Sequence, residues 1–543
     1  MKIRNIKSFI IASLTLAGGL CITGCNDLEQ LPHIEQSAAD VYTTAEGCNA
    51  ALAKVYASFV VVSQQKNGTP DISSNTGHDT MRGYINLQEM PTDEMAATWL
   101  SGDNQSGLAF MQWDDKDVWV ADVYYRLYYT ISLANDFIAN ASKNNDVTVQ
   151  QYVNEARFLR AMAYYMVLDL YGKGSFVDET MGIGAFTPDI YSNKQLFSYI
   201  ESELSDIAEK LPAKSSVEYG RASSGAAYAL LAKLYLNAAV YNKEKATDAP
   251  LADADMAEYY KKCIAACDNV KAQGYGIEDE YYKLFNADND KRTNEIIFPL
   301  CVDGDNTVSW GATTYLVCGA INSNIETSDY SPSLFGATSG WSSFRVRGEF
   351  SNLFENGDKR GMFYKSNPQY FDGANIDDQA YGYMGMKYTN LTDAGEQASN
   401  TADGGVCTDY PMLRYADVLL MKAEAQLRLK LDNATWDEKK AIVDECLQPL
   451  YTRAFGKDAQ NAPVKQLNPN LVNLDFMLDE RAREMWWECS RRTDLVRFNA
   501  FTTTNRTWEW KGKNAKGDIA LDASFNTYPI PAAEKSANYK YNK

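Results

Sequence analysis

The 543-residue sequence predicts a mainly α-helical fold: a tetratricopeptide-like helical-repeat scaffold with long irregular loops that carry the candidate binding surface. Two observations predict this architecture. Helical periodicity recurs along the chain, with alanine at positions where a neighbouring helix must come close. Two long stretches lack that periodicity but are rich in aromatic residues, a composition that argues against disorder.

Three segments show the helical period most clearly, because their apolar side chains recur along one face. The aligned positions are Ala156, Leu159, Ala163, Val167 and Leu170; Ala227, Leu231, Leu234 and Ala238; and Leu413, Ala416, Leu420, Ala423 and Leu427. Gly172 and Gly174 should end the first helix, and Ser223 or Ser224 should cap the second. Further helices are predicted at roughly 38–60, 117–142, 194–210, 254–272, 437–453 and 473–498.

The two loop-rich stretches cover about 62–115 and about 275–408. The predicted organisation is a leader at 1–24, a helical scaffold at 25–274 that includes the first binding loop, a loop-rich ligand-binding region at 275–410, and C-terminal helices with a tail at 411–543. We expect the C-terminal part to complete the same domain. Loops of this length in a compact protein are usually functional when they are ordered.

The N-terminus has the pattern of a bacterial lipoprotein signal peptide. Lys2, Arg4 and Lys7 precede an apolar stretch, which ends in Ile22-Thr23-Gly24-Cys25, a sequence like a lipobox. Cys25 would become the first mature residue and carry the acyl chains; the alternative is an ordinary signal with a chance cysteine. No later stretch approaches the ~20 consecutive apolar residues of a spanning helix. The sequence therefore predicts attachment to the membrane through a lipid anchor.

Charge and histidine content exclude several classes of function. The formal net charge is −19, and removing the three basic residues of the leader makes it −22, which argues against a nucleic-acid partner. His33 and His78 are the only histidines, so a histidine-rich metal site is excluded. Cys263 and Cys267 share a helix face; a packed thiol pair is favoured there over a metal or redox pair, and the scattered cysteines predict no disulfide framework.

Three tryptophans lie in the loop-rich stretches beside glycine or small polar residues: Trp99, Trp310 and Trp341. An indole with a small neighbour offers a flat face to a ligand such as a sugar ring. Arg82, Asp93, Glu94, Asp103 and Asn104 supply hydrogen-bonding groups in the first loop. The alternative is that each tryptophan only anchors its loop to the scaffold.

The C-terminal segment Asp479–Phe498 is dense in opposite charges. Glu484 or Glu488 could serve as an acid or base, but a helical i, i+4 ion-pair network is the favoured interpretation. A glycoside hydrolase would need two carboxylates across a cleft, and no motif nominates such a pair. Walker, dinucleotide-binding, GxSxG and HExxH motifs are absent from the sequence. We therefore predict a protein that is not an enzyme, with a glycosidase kept as an alternative.

Together these residues resemble the SusD/RagB family of outer-membrane lipoproteins. The most specific stretches for the family are the Glu480–Phe498 segment and Tyr528-Pro529-Ile530-Pro531. Stretches similar to its starch-binding members are Pro91-Thr92-Asp93-Glu94, Thr314–Gly319, Gly340-Trp341-Ser342, Arg491–Phe498 and Trp508–Gly512. The resemblance implies a tetratricopeptide scaffold on the cell surface, anchored in the outer membrane and paired with a TonB-dependent, SusC-like transporter.

The resemblance also implies a function and a site. Starch-binding members hold malto-oligosaccharides on an arc of aromatic rings without cleaving them, and the matching positions are Trp99, Trp310 and Trp341. Arg82 and Asn104 match hydrogen-bonding residues. Asp290 and Asp409 match ligands of a structural calcium ion, although Cys407 stands where another acid is expected and thiol is a poor partner for Ca²⁺. No cofactor is required. The alternatives are another polysaccharide or a peptide as cargo, and a scaffold that only docks a partner.

Overall fold

The computed structural model describes residues 38–542 except 64–68, 183, 185, 245–247, 307–308, 324–329, 367–368, 372–374 and 457–463. The predicted leader, the predicted lipid-anchor residue Cys25 and His33 therefore lie outside the described residues. Within the described part, none of the helices combines the length and the apolar character that crossing a bilayer requires.

Helices dominate the structure, as the periodicity predicts. The N-terminal helices are α1 (Ala38–Val41), α2 (Ala45–Ala57), α3 (Thr80–Glu89), α4 (Ser106–Ala109), α5 (Val118–Ala141), α6 (Val147–Tyr171), α7 (Asn193–Ile207), α8 (Ser224–Leu236), α9 (Ala238–Tyr241) and α10 (Ala257–Ala272). The later helices are α11 (Ala312–Ala320), α12 (Tyr415–Leu429), α13 (Trp436–Ile442), α14 (Gln448–Phe455), α15 (Leu474–Met485), α16 (Arg491–Arg497) and α17 (Ala532–Ala537). Short 3₁₀ turns and one π-helical turn at Val443–Leu447 complete the helical structure among these residues.

Successive helices pack side by side, which confirms the predicted scaffold of helix pairs. Helix α6 packs between α5 and α7, and α10 packs between α8 and α12. Alanines of the periodic faces, among them Ala163, Ala227 and Ala416, are completely buried where these helices meet. Small side chains allow neighbouring backbones to approach closely, so the alanine pattern explains the tight pairing.

Side-chain caps fix where the helices begin and end. The Asp117 carboxylate accepts hydrogen bonds from the backbone of Trp119 and Val120, and thereby starts α5. Ser223, rather than Ser224, caps α8 by accepting from the Ala226 backbone. Gly172 ends α6 in the left-handed conformation, with φ of 71°, as predicted.

The strands form only small antiparallel pairs. They are β1 (Met95–Ala97) with β5 (Phe344–Val346), β2 (Gly174–Phe176) with β3 (Asp189–Tyr191), β4 (Ile296–Leu300) with β8 (Tyr410–Arg414), and β6 (Phe363–Tyr364) with β7 (Met384–Gly385). Met95 lies opposite Val346, and Ala97 lies opposite Phe344. The β1–β5 pair therefore joins the two loop-rich stretches.

The C-terminal segment differs from the prediction of one helix over 473–498. The chain forms α15 and α16 with a break between them, where Trp487 and Cys489 take φ values of 59° and 53°. Trp486 and Trp487 are completely buried at this break. Burial of the two indoles offsets the free energy lost where the helix is interrupted, because each indole removes a large apolar surface from water.

The interpretation of Glu484 and Glu488 as members of an i, i+4 network along one helix is also wrong. Both carboxylates are buried and pair with cations that are distant from them in the sequence. Glu484 accepts from Arg414 at 2.6 Å, and Arg453 and Arg360 donate to it as well. Glu488 pairs with Lys387 and with Arg414, each at 2.6 Å. These buried ion pairs thus hold the C-terminal segment against the core.

The eight cysteines of the described part are free. Cys263 and Cys267 are both buried, in agreement with the interpretation of a packed thiol pair. Burial raises the pKa of the Cys267 thiol well above its usual range, which keeps it protonated and unreactive.

Candidate tryptophan site

The β1–β5 pair brings Trp99 and Trp341 to the same end of one short ladder. The Thr98 backbone donates to the Ser343 carbonyl at 2.9 Å, and the Thr98 hydroxyl donates to the Ser342 carbonyl. Trp99 leaves β1 immediately after these bonds, and Trp341 lies just before β5. Two tryptophans more than two hundred residues apart are therefore neighbours in the fold.

Trp310 completes the group through direct contact with Trp341. Their ring centroids are 5.7 Å apart, and the ring planes meet at 61°. Trp310 is 45% exposed, whereas Trp99 and Trp341 are partly buried. The Trp341 backbone donates to the Cys318 carbonyl at 2.8 Å, which fixes this tryptophan against α11. The two indoles form an angled aromatic surface that is open to solvent at Trp310.

Arg82 of α3 lies beneath this surface and holds it from behind. Its guanidinium donates to the Trp310 carbonyl at 3.0 Å and to the Asp103 carboxylate at 2.9 Å. It also lies over the Tyr315 ring, 4.4 Å from the centroid. Because Arg82 is only 3% exposed, the structure places it as a support of the Trp310 and Asp103 loops rather than on the open face.

Asp79 is a second support, and sequence reasoning missed it. Its carboxylate caps α3 by accepting from the Arg82 backbone at 2.8 Å. It also accepts from the Ser309 hydroxyl and from the Ala312 backbone, on either side of Trp310. Gly311 packs so closely on this carboxylate that a Cβ would overlap it. The position of Asp before a helical segment indicates a cap, but nothing local reveals the contact with residues 309–312.

Asn104 is exposed beside these supports, in the left-handed conformation with φ of 54°. The loop that carries it is closed by a hydrogen bond from the Asp103 backbone to the Trp99 carbonyl, at 3.2 Å. The Trp119 indole nitrogen donates to the Asp103 carbonyl at 2.8 Å. The structure therefore places Trp99, Trp310, Trp341 and Asn104 on loops that share the Arg82 base. Asp93 and Glu94 instead accept from Arg491 and the Trp487 backbone.

His78 adds an uncharged ring to this base. The imidazole stacks on Trp119 with centroids 5.8 Å apart, and its Nδ1 lies 3.4 Å from the Arg82 guanidinium. Burial, with the positive charges of Arg82 and Arg126, lowers the pKa of His78 to about 3. Burial also raises the pKa of the Asp79 and Asp103 carboxyl groups above their usual values.

We expect His78 to make the folded protein less stable as the pH falls. Between pH 6.5 and about 3 the unfolded chain binds a proton at His78 and the folded chain does not, so the stabilisation present above pH 6.5 is lost progressively. The free energy of unfolding, measured by urea denaturation, should therefore fall less between pH 7 and 5 in His78→Phe than in the wild type, by about 2 kcal/mol. Equal falls in the two proteins would contradict this assignment.

Of the two predicted calcium ligands, Asp409 is engaged by hydrogen bonds within the protein. The Asp409 carboxylate accepts from the Tyr219 hydroxyl and the Val302 backbone, each at 2.8 Å. Burial raises the pKa of Asp409 to about 6, and Asp290 is exposed. Among the described residues, no cluster of three or more acidic, histidine or cysteine side chains is placed to hold a metal ion. Ca²⁺ takes six to eight oxygen ligands, so these two carboxylates would have to be joined by backbone carbonyls and water.

The carboxylates nominated as a possible acid or base are committed to ion pairs. The positive charges of Arg453, Arg414 and Arg360 outweigh burial and hold the pKa of Glu484 at about 2. Glu488 is only 6% exposed and is engaged by Lys387 and Arg414. A general acid must hold its proton near neutral pH, so Glu484 is unsuited to that role.

Comparisons with known proteins point to one family. The sequence profile described as SusD family matches residues 365–543, and the profile described as starch-binding, associating with the outer membrane, matches residues 48–236. The starch-binding protein SusD of Bacteroides thetaiotaomicron is 29% identical, in an alignment that covers 99% of this chain and 98% of SusD.

Two solved structures show the same fold. A SusD-like carbohydrate-binding protein of Bacteroides fragilis superposes with a TM-score of 0.66 at 18% identity, covering 92% of this chain and 99% of that protein. Surface glycan-binding protein A of Bacteroides thetaiotaomicron, in complex with laminarihexaose, superposes with a TM-score of 0.65 at 16% identity, covering 91% and 97%.

Proposed function

We propose that this chain is a SusD/RagB-family protein, a non-catalytic cell-surface protein that binds starch-type α-glucans. The observation that carries this proposal is the angled pair Trp310 and Trp341, with Trp99 and Asn104 beside it. Indole faces stack on the apolar faces of sugar rings, and the Asn104 amide offers both a donor and an acceptor to hydroxyl groups. Similarity to the starch-binding SusD supports starch as the ligand.

The shape of the site favours a curved polymer. Ring planes that meet at 61° follow a bend rather than a flat ribbon, and an α-1,4-linked glucan is helical. The supports beneath the rings are buried and mutually hydrogen-bonded, so little conformational freedom is lost when a ligand binds. The ligand is held by shape and stacking, without a catalytic pair.

The proposal includes a lipid anchor at Cys25 and delivery of the glucan to a SusC-like, TonB-dependent transporter in the outer membrane. The position of the site suits an anchored receptor. The first described helices meet the far end of α5, where Tyr42 packs on Phe137 with ring centroids 5.9 Å apart. Trp119, which contacts the site, stands at the beginning of α5. The 24 residues of this helix span about 36 Å, so Tyr42, near the first described residue, lies well away from the site.

Removing the two contacting indoles should abolish retention by the polymer. In Trp310→Ala/Trp341→Ala we expect the affinity for amylose in a native affinity gel to fall at least about 30-fold, since each buried aromatic contact is worth about 2 kcal/mol in a binding site. Trp436→Ala is the matched control, because Trp436 is 50% exposed on α13 and has no part in this site. Unchanged retention of the double variant would refute the proposal.

A different glycan is the second candidate, because a structural relative was solved with laminarihexaose. Calorimetric titration with maltoheptaose, laminarihexaose, a fructan and a mannan separates the two. If only maltoheptaose binds, the α-glucan is supported as the ligand. If another glycan binds and maltoheptaose does not, that glycan takes the place of the α-glucan in the proposal. Release of reducing ends from amylopectin by the purified protein would establish the glycosidase alternative instead.

A further inference from the structure

A second cleft opens beside the segment that precedes α5. It has a volume of about 690 Å³ and lies where this segment, the end of α6 and the start of α7 meet the C-terminal tail. None of its lining residues belongs to the tryptophan site. Its size falls within the range of small-molecule sites, about 300–1,000 Å³.

Aromatic rings form one wall of this cleft. Trp113 contacts Phe525 with ring centroids 5.2 Å apart and Tyr528 with centroids 4.6 Å apart. Tyr541 also lines the cleft, and the Lys173 ammonium stands 5.8 Å from its ring centroid. Phe525 and Tyr541 are only partly buried, so both present ring surface to the cleft.

The charged groups around the cleft largely neutralise each other. Asp115 pairs with Lys535 at 2.5 Å, and Glu244 pairs with Lys194 at 3.3 Å. The exposed side chains of Asp114 and Lys173 add one charge of each sign. An ionic ligand would gain little from such a balanced wall, whereas a neutral ligand with polar edges would meet donors and acceptors of both kinds.

Asn193 brings a side-chain amide to the wall of the cleft. The residue is only 4% exposed and lines the cleft. Ser192 and Gln195 form the capping box of α7, so the Asn193 amide is not needed as a cap. An amide that lines a cleft can donate a hydrogen bond to a ligand and accept one from it.

We propose that this cleft is a second carbohydrate-binding site, which takes a short neutral oligosaccharide. Sugar hydroxyls both donate and accept, as the Asn193 amide does, and the apolar face of a sugar ring matches the partly exposed Phe525 and Tyr541. The Lys173 ammonium donates to further hydroxyls. The cleft and the tryptophan site use different residues, so each binds independently of the other.

The test uses the full chain carrying Trp310→Ala/Trp341→Ala, so that binding at the cleft is measured alone. Maltotriose, laminaritriose and mannotriose are titrated by calorimetry. We expect at least one of them to bind, and Asn193→Ala in the same background to weaken that binding about tenfold, as expected for the loss of hydrogen bonds at a buried amide. Alanine is a good helix former, so the substitution leaves the start of α7 intact.

Lys173→Met is the second cleft variant, chosen because Lys173 is exposed and its replacement leaves the fold unchanged. It should weaken the same trisaccharide. The proposal is overturned if no trisaccharide binds the double-tryptophan background, or if both cleft variants bind as tightly as that background. Failure of the proposed function would give a different result. Wild type and the double-tryptophan variant would then bind maltoheptaose equally, whether or not a trisaccharide binds the cleft.

Discussion

Arg414→Met should destabilise the protein by about 3–5 kcal/mol, the cost of removing one partner from a buried ion pair. Arg414 is completely buried at the end of β8 and donates to Glu484 and Glu488 at 2.6 Å and to Glu295 at 3.0 Å. Methionine fills much of the space but leaves three buried carboxylates with less compensation. Because these carboxylates come from separate elements, the loss affects the packing of the C-terminal segment on the core.

The free energy of unfolding of Arg414→Met is measured by urea denaturation beside a surface control. Lys261→Met is suitable, because Lys261 and Glu258 form an exposed i, i+3 pair at 2.6 Å. Removing such a pair should change the free energy of unfolding very little, because water screens exposed charges. Comparable losses in the two variants would contradict the role assigned to Arg414.

The stability difference between the wild type and Arg414→Met should also depend on pH. The pKa of Glu484 is about 2 in the folded protein and near 4.5 in the unfolded chain, so its stabilisation is present above pH 4.5 and is lost as the pH falls toward 2. The difference between wild type and Arg414→Met should therefore narrow over this interval. A constant difference would show that Arg414 acts through packing alone.

The helical scaffold was predictable because it is encoded locally. Apolar periodicity and caps such as Gly172 lie within the segment they organise, and the helices begin and end close to the predicted positions. The break at Trp487 was not predictable in this way. It depends on burial of two indoles and on cations contributed by β8 and other distant elements, whereas the local charge pattern favours one continuous helix.

The tryptophan site was predictable in its residue types but not in its construction. Glycine and small residues beside loop tryptophans indicate an accessible ring, and Trp310 is indeed 45% exposed. The buried position of Arg82 and the part played by Asp79 depend on contacts across more than two hundred residues. The family resemblance indicates which residues match a known site. Only the fold distinguishes a side chain exposed on the aromatic surface, such as Trp310, from a buried one that supports it, such as Arg82.

Gly311→Ala should displace Trp310 and weaken glycan binding without touching a ring. The added methyl group would overlap the Asp79 carboxylate, which is buried and held by its bonds to the Arg82 backbone and the Ser309 hydroxyl. Either the cap of α3 or the loop that carries Trp310 must shift. We expect a loss of about 1–3 kcal/mol in stability, as for overpacking, and an affinity for the bound glycan reduced about tenfold or more.

Gly184→Ala is the matched control, because a Cβ at Gly184 meets open space and should change neither quantity. A double-mutant cycle then identifies the cause. Asp79→Ala alone removes the cap and its bonds to the Trp310 loop, but it also removes the obstacle, so Gly311→Ala should cost much less in that background than in the wild type. If the two substitutions are additive in stability and in affinity, the close contact between Gly311 and Asp79 does not position Trp310.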